Sequence, residues 1–322
     1  EQFLLESEFI TRDEISKFKS DIKSEIDEHL KRTNKEPSIE PDEKLELEDV
    51  YQQFTLDEHP KPSRKIEMRF IDAISKGLEQ SMEKYKTMVI MGQDIAEYGG
   101  VFKITDGFVE KFGKDRVRNT PICESAIVSA AMGLSIQDIK SIVEMQFSDF
   151  VTSGFNPIAN YLAKVHYRWG QKADVVIRMP CGGGVGAGPF HSQTNEAWFT
   201  KIPGLKVVYP SSPQDAKGLL AAAIEDPNPV LFFEHKALYR TIREDVYEDY
   251  FSIEIGKANL LKKGNDITVI TFGAAVHWAL EVLERCPEIS AEVLDLRSLS
   301  PLDEAAIFTS VKKTGKVIIL QE

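Results

Sequence analysis

The sequence is poor in cysteine, in basic surplus and in long apolar runs. Its three cysteines, Cys123, Cys181 and Cys286, are odd in number and widely spaced. They exclude a disulfide framework and a clustered zinc site, and they fit a reducing compartment, so a cytoplasmic location is expected. Lysine and arginine number 39 against 51 acids, for a formal charge of −12. Neutralising phosphates takes a basic face, so nucleic acid is not an expected partner. No apolar run approaches the ~18 residues of a membrane-spanning helix, and the first residues lack a secretory pattern. What is present is 322 residues, 42% hydrophobic and 28% charged. That is the composition of a globular enzyme of about two domains.

The charge is unevenly spread: residues 1–50 hold 16 acids and 8 bases. "TRDEISKFKSDIKSEIDEHL" opens with Thr11 and Glu14 at capping-box spacing. Ile15, Phe18, Ile22, Ile26 and Leu30 follow at helical steps, as one apolar stripe. The next stretch, to residue 65, is charged, carries four prolines, and reads as a linker or extended arm. From Ile66 the texture changes. Strands are predicted at 87–92, 141–146, 173–180, 205–210 and 229–234, with helices at 124–137, 149–169 and 212–226. Continuous apolar strands between helices mean an α/β fold, with a parallel sheet covered on both faces. A polar, aromatic stretch then crosses to a second unit. It has strands at 266–273, 290–296 and 316–322 and helices near 274–286 and 303–313. Its last strand lacks an onward connection, so the chain is expected to be part of a longer one.

Three stretches carry candidate chemistry. "CGGGVGAGPFH" is no Walker loop, because no lysine lies between Cys181 and Trp198. Gly182, Gly184 and Ala187 fit the dinucleotide form G-x-G-x-x-A, but Pro189 stands where the helix should run. The remaining reading is a close-packed loop that carries His191 at the end of a strand, where open α/β sheets bind ligands. Ser192 and Gln193 are candidates to orient the ring, and histidine is the common proton carrier near neutral pH. A strand is predicted to end at Pro121, and Glu124 then opens a helix whose small residues, Ala126, Ser129, Ala130 and Gly133, allow tight packing. A helix dipole favours any first-turn glutamate, so Glu124 is either that or a ligand-facing carboxylate. "EMQFSDF" places Gln146 and Phe150 at another strand end, with Phe147 and Phe150 either in the core or against a ligand.

Taken together, "NTPICE", "EMQFSDF", "CGGGVGAGPFHSQTNEAWF", "IEDPNP" and "FFEHKALYR" resemble the β subunit of the thiamine-diphosphate-dependent decarboxylase component of 2-oxo acid dehydrogenase complexes. The resemblance runs from Met68 to Glu322 and points in particular to the branched-chain (2-oxoisovalerate) enzyme. Residues 1–65, with "LEDVY", resemble the C-terminal end of the α subunit, so a fused α–β chain is expected.

The resemblance implies a transketolase-like pyrimidine-binding domain at 66–250. An incomplete transketolase C-terminal domain follows at 251–322, after an α-type helix and tether at 1–65. It implies that Glu124 bonds the aminopyrimidine ring, that Phe150 packs on that ring, that Gln146 lies in the same cofactor site, and that His191 is catalytic. Asp226 and Asn228 match a monovalent-cation loop, so K⁺ is a possible ligand, with a plain turn as the alternative. Mg²⁺ and the diphosphate belong to the α half, because no "GDG"-type motif is present here. The partners implied are that α half, a second fused chain or an α₂β₂-like assembly, and a lipoyl-bearing acyltransferase. The implied activity is oxidative decarboxylation of 3-methyl-2-oxobutanoate, with pyruvate as the near alternative. The portion in hand is expected to be inactive alone. Two readings from other classes are an assembly piece without catalysis and a nicotinamide oxidoreductase.

Overall fold

A computed structural model describes residues 1–57, 59 and 64–322. The chain divides into two compact units, Glu1–Leu47 and Glu48–Glu322. In the first, the helix Arg12–Thr33 carries the expected capping box: Thr11 Oγ1 accepts from Glu14 N at 3.2 Å and the Glu14 carboxylate accepts from Thr11 N at 2.8 Å. The stripe Phe18, Ile22, Ile26 and Leu30 is exposed.

The second unit holds thirteen strands among the described residues: β1 Lys65–Arg69, β2 Val89–Gly92, β3 Val117–Asn119, β4 Ser141–Glu144, β5 Val175–Cys181, β6 Lys206–Val208, β7 Val230–His235, β8 Arg243–Tyr247, β9 Asn259–Lys262, β10 Ile267–Thr271, β11 Ala291–Asp295, β12 Ser298–Ser300 and β13 Val317–Ile319. Seven form one sheet in the order β12-β6-β7-β5-β4-β2-β3. It is parallel except at β12, which pairs antiparallel with β6. Its central strands are buried along their whole length, so apolar residues serve both faces. Alternation then sorts them. Ile90, Ile142, Val176 and Phe232 join the helices Phe70–Lys84 and Pro213–Glu225 on one side. Met91, Val143, Ile177 and Phe233 join Ile127, Val128, Val151 and Ile158 on the other.

The second sheet runs β13-β10-β11-β9, with helices Ala274–Arg285 and Glu304–Thr314 packed on it. Strand β12, which follows β11, leaves that sheet and closes the edge of the first, tying the two layers together. A two-stranded antiparallel ribbon, β1–β8, completes the unit.

The structure departs from the sequence expectation in three places. The predicted helix 149–169 is a 3₁₀ turn Ser148–Gly154, a π turn Pro157–Leu162 and a short α-helix Ala163–Trp169. Pro157 lacks the N–H an unbroken helix needs, and Gly154 weakens the turn before it. The strand expected to end at Pro121 stops at Asn119. The arm also contains order. A short helix spans Glu43–Glu48. Tyr51 Oη donates to the Leu205 carbonyl at 3.1 Å, and the Lys206 ammonium sits 5.1 Å from the centre of the Phe54 ring. His59 lies 2.8 Å from Glu225. The compact boundary therefore falls after Leu47, although the residue pattern changes only near residue 65. No helix among the described residues is long and apolar enough to cross a membrane.

Candidate active site

The carboxyl ends of β4, β5 and β7, with the start of the helix Glu124–Ile136, surround one rim of the first sheet. This is where an open α/β sheet has its crevice. Glu124 is the first residue of that helix and is 7% exposed. Gln93, just past β2, donates from Nε2 to Glu124 Oε1 at 3.0 Å. No other hydrogen bond to the Glu124 carboxylate is found among the described residues, so one oxygen is fixed by Gln93 and the other is not. Gln146 reaches the same place from β4: its Nε2 lies 3.5 Å from the Gln93 carbonyl and 3.4 Å from Asp94 Oδ2. Glu124 and Gln146 are thus brought together through Gln93, which the sequence did not single out.

His191 ends the glycine loop in a 3₁₀ turn, Pro189–His191. No helix begins inside the glycine run, so the dinucleotide form lacks the helix N-terminus that would receive a pyrophosphate. The His191 ring meets Phe147 edge-on at 4.6 Å and Phe150 at 5.5 Å between centres. Both phenyl rings are half-buried and form a wall beside the imidazole. The Ser192 and Gln193 side chains, expected to orient the ring, show no hydrogen bond to it among the described residues; the two residues hold the loop through their backbones. Asp149 Oδ1 accepts from both N–H groups at 3.1 Å, and the Gln193 carbonyl accepts from Gly182 N at 3.0 Å. Asp149 stood inside "EMQFSDF", and only its depth in the fold shows its role.

Among the buried atoms near this rim that have no hydrogen-bond partner are Asp149 Oδ2 and the Lys236 ammonium. Lys236 follows β7, is 3% exposed, and points its charge at the Phe147 ring from 5.5 Å. Burial holds its pKa below the ordinary lysine value. One layer deeper, Arg178 is fully buried between two carboxylates. Its Nε and Nη2 donate to Glu234 at 2.7 and 2.8 Å, Nη1 donates to Glu144, and Tyr239 Oη donates to Glu234 at 2.7 Å. Burial works against the guanidinium charge, but Glu234 and Glu144 outweigh it, and the group stays ionised. Burial raises the Glu144 pKa even against Arg178.

Asp226 and Asn228 are also brought together, but away from the rim. Asp226 pairs with the Lys206 ammonium, and its Oδ1 accepts from Asn228 N and Nδ2 at 2.9 and 2.8 Å. Asn228 exchanges two hydrogen bonds with the Gln52 backbone, at 2.8 and 2.9 Å. The charge beside Asp226 is a side chain, and the pair clamps the arm. A cavity of about 540 Å³ opens between this clamp, Phe54, Glu254 and Pro301. The small residues of the helix Glu124–Ile136 that allow tight packing, Ala126, Ser129, Ala130 and Gly133, are all exposed.

This geometry defines the class: the pyrimidine-binding half of a transketolase-type fold. The transketolase pyrimidine-binding domain model matches residues 66–241, and the transketolase C-terminal domain model matches 256–322. The chain is 46% identical over 261 residues to the 2-oxoisovalerate dehydrogenase subunit beta of Bacillus subtilis, covering 79% of each. It is 44% identical over 257 residues to the pyruvate dehydrogenase E1 component subunit beta of Acholeplasma laidlawii, covering 78% of each. It is 42% identical over 260 residues to the same subunit of Staphylococcus aureus, covering 80% of each. A split-gene transketolase, solved as an inactive beta4 tetramer, shares the fold with a TM-score of 0.65 and 24% identity, over 79% of this chain and 80% of that one. The chain belongs to the E1 β-subunit family of 2-oxo acid dehydrogenases.

Proposed function

We propose that the chain supplies the β half of a thiamine-diphosphate-dependent 2-oxo acid dehydrogenase, acting on 3-methyl-2-oxobutanoate and its branched relatives. The observation that carries this reading is the buried Glu124 carboxylate, fixed on one oxygen by Gln93 and open on the other. The residues fit the pyrimidine end of the cofactor: a buried acid for a ring nitrogen, an amide nearby, and a phenyl wall. They do not fit the diphosphate end. The sequence carries no "GDG"-type motif, so Mg²⁺ and the diphosphate belong to the α half in this reading. Thiamine diphosphate, when bound, supplies the carbanion that attacks a 2-oxo carbon and the electron sink that lets CO₂ leave.

The chain's own part is proton handling and shielding. Glu124 shares a proton between its free oxygen and a pyrimidine ring nitrogen. The Gln93 amide holds one oxygen of this acid in place, which pre-orients the carboxyl for that exchange. Phe147 and Phe150 exclude water beside it. The His191 imidazole, held edge-on by those rings, gives or takes a proton as the acyl group passes to a lipoyl arm. Residues 1–65 act as the α-type helix and tether, 66–250 as the pyrimidine-binding domain and 251–322 as the second domain. The outward small residues of the helix Glu124–Ile136 leave room for close packing by a partner half in an α₂β₂-like enzyme or a dimer of fused chains. The relatives at 44% and 42% identity favour pyruvate as a second reading of the substrate.

The test is turnover of the complete enzyme with thiamine diphosphate, Mg²⁺ and an artificial electron acceptor. Preference for the branched acid over pyruvate in kcat/KM supports the proposal. Preference for pyruvate changes the substrate and keeps the chemistry. No cofactor-dependent turnover of either acid removes the reading.

A further inference from the structure

The glycine loop is bracketed by two consecutive residues that come from the far end of the chain. Glu322 Oε1 accepts from Gly183 N at 3.1 Å, at the loop's root. Glu322 Oε2 accepts from His235 Nε2 at 2.6 Å. The tautomer follows from the other nitrogen: His235 Nδ1 lies 3.3 Å from the Ala237 N–H and accepts from it, so Nε2 carries the proton. Burial holds the His235 pKa below its ordinary value, which favours this neutral form. Beyond His191, Gln321 Nε2 donates to Glu196 Oε1 at 2.8 Å. One dipeptide therefore holds both ends of the segment that carries His191.

The glycines divide accordingly. A Cβ on Gly182 would lie 2.2 Å from His235 Nε2, and one on Gly183 would lie 3.2 Å from Glu322 Oε1. Gly182 also has φ of +81°, so the His235 ring and its own backbone both require glycine there, while Gly183 has the Glu322 carboxylate pressed close against it. Gly186 and Gly188 have φ of +72° and +78° with nothing within 4 Å of a would-be Cβ. Those two are glycine because the turn needs left-handed backbone. The loop thus has pinned ends and a free middle, with Phe190 74% exposed beside His191. Gln321 and Glu322 continue directly from β13 of the second sheet, where Leu320 N still donates to the Ile270 carbonyl at 3.0 Å. The loop springs from the first sheet, yet its frame is set by the second.

We propose that Gln321 and Glu322, with His235 as their anchor, are positioning residues that fix the His191 loop relative to the rim of the first sheet. None of the three is placed to touch substrate. The inference rests on the reading of His191 as a proton carrier. It adds that the C-terminal domain controls where that carrier stands.

The test uses the complete enzyme and reads amide hydrogen exchange alongside kinetics. Glu322→Ala is expected to speed exchange at Gly183–Gln193 by about tenfold or more, leaving β5 and β7 protected. It is also expected to lower kcat about tenfold, with KM changed less than about twofold, because a misplaced proton carrier costs turnover more than binding. Glu322→Gln keeps an acceptor for Gly183 N and is expected to recover most of both effects. Gln321→Ala is expected to loosen the 193–196 end alone. If Glu322→Ala fails to fold, Glu322→Gln and Gln321→Ala carry the same two readouts at smaller size. Loop exchange that stays at wild-type rates, or loosens while kcat holds, overturns the proposal. A wild-type enzyme without thiamine-dependent turnover overturns the catalytic reading separately, and the exchange rates then decide the bracket alone.

Discussion

Two groups of buried charge lie at the same rim of the first sheet, one layer apart, and they differ in completeness. In the inner group, Arg178 has Glu144 and Glu234 as partners, and Tyr239 takes a further lone pair of Glu234. In the outer group, Glu124 has one bond, while Asp149 Oδ2 and Lys236 Nζ have no hydrogen-bond partner. Desolvating a charge costs several kcal/mol unless a partner answers it. The inner group answers itself and can do nothing but hold β4, β5 and β7 in register. The outer group carries an unanswered cost, the sort of arrangement a bound ligand relieves. Completeness of partners, and not burial or charge, separates the closed cluster from the open one.

The sharpest way to break that contrast is to open the closed group. Arg178→Met leaves two buried carboxylates without their cation and is expected to remove about 3–5 kcal/mol of stability. Urea denaturation measures it, and a loss under about 1 kcal/mol would mean the triad is not the support described.

A half-answered carboxylate should behave between the two. Asp295 accepts from Ser211 Oγ and from Arg297 N at 3.1 Å, and burial pushes its pKa up to about 7. A raised carboxyl pKa means the folded state holds a proton that the unfolded chain releases above about pH 4. Its contribution is therefore full below about pH 4 and is lost as pH rises toward 7. The three-unit span sets an upper bound of roughly 4 kcal/mol. Asp295→Asn should flatten that part of the stability–pH curve. An unchanged slope in the variant would show that another group titrates.

Glu124→Gln tests the open group. It keeps shape and the Gln93 contact site but removes the transferable proton. Thermal stability is expected to stay within about 1 kcal/mol, while turnover of a 2-oxo acid falls about 100-fold. A large stability loss with little change in turnover would move Glu124 to the structural side. The smallest effect is expected at Lys236. Lys236→Met removes a buried, unpaired ammonium, so stability should hold or rise by about 1 kcal/mol while kcat/KM falls several-fold. Calorimetry and steady-state kinetics on one preparation read both, and a destabilised but fully active variant would contradict the assignment.

Much of the fold was legible because its signals are local. The capping box at Thr11 and Glu14 and the buried runs of β4, β5 and β7 each announce themselves within a few residues. The ribbon β1–β8 was missed because "KIEMR" is a short alternation at the edge of a charged arm. Strand β12 was missed because three residues of "SLS" carry no period at all. Helix 149–169 was overread because its apolar spacing outvoted Pro157. Among site residues, Glu124, Gln146, Phe150 and His191 stood in motifs at strand ends, and the structure gathers them at one rim. Gln93, Lys236 and Glu322 had no such flag.

The sequence by itself determined the α/β layering, the helix starts and the motifs at strand ends, because period, caps and turns act between near neighbours. Only the tertiary structure decided which charges find partners. Arg178 meets Glu234 across 56 positions and Glu322 meets Gly183 across 139, and no local pattern encodes a contact of that span. It also decided why each glycine of the loop is a glycine. Gly186 and Gly188 are set by their own backbone angle alone, and Gly182 by that angle together with the His235 ring, a difference the letter G does not carry.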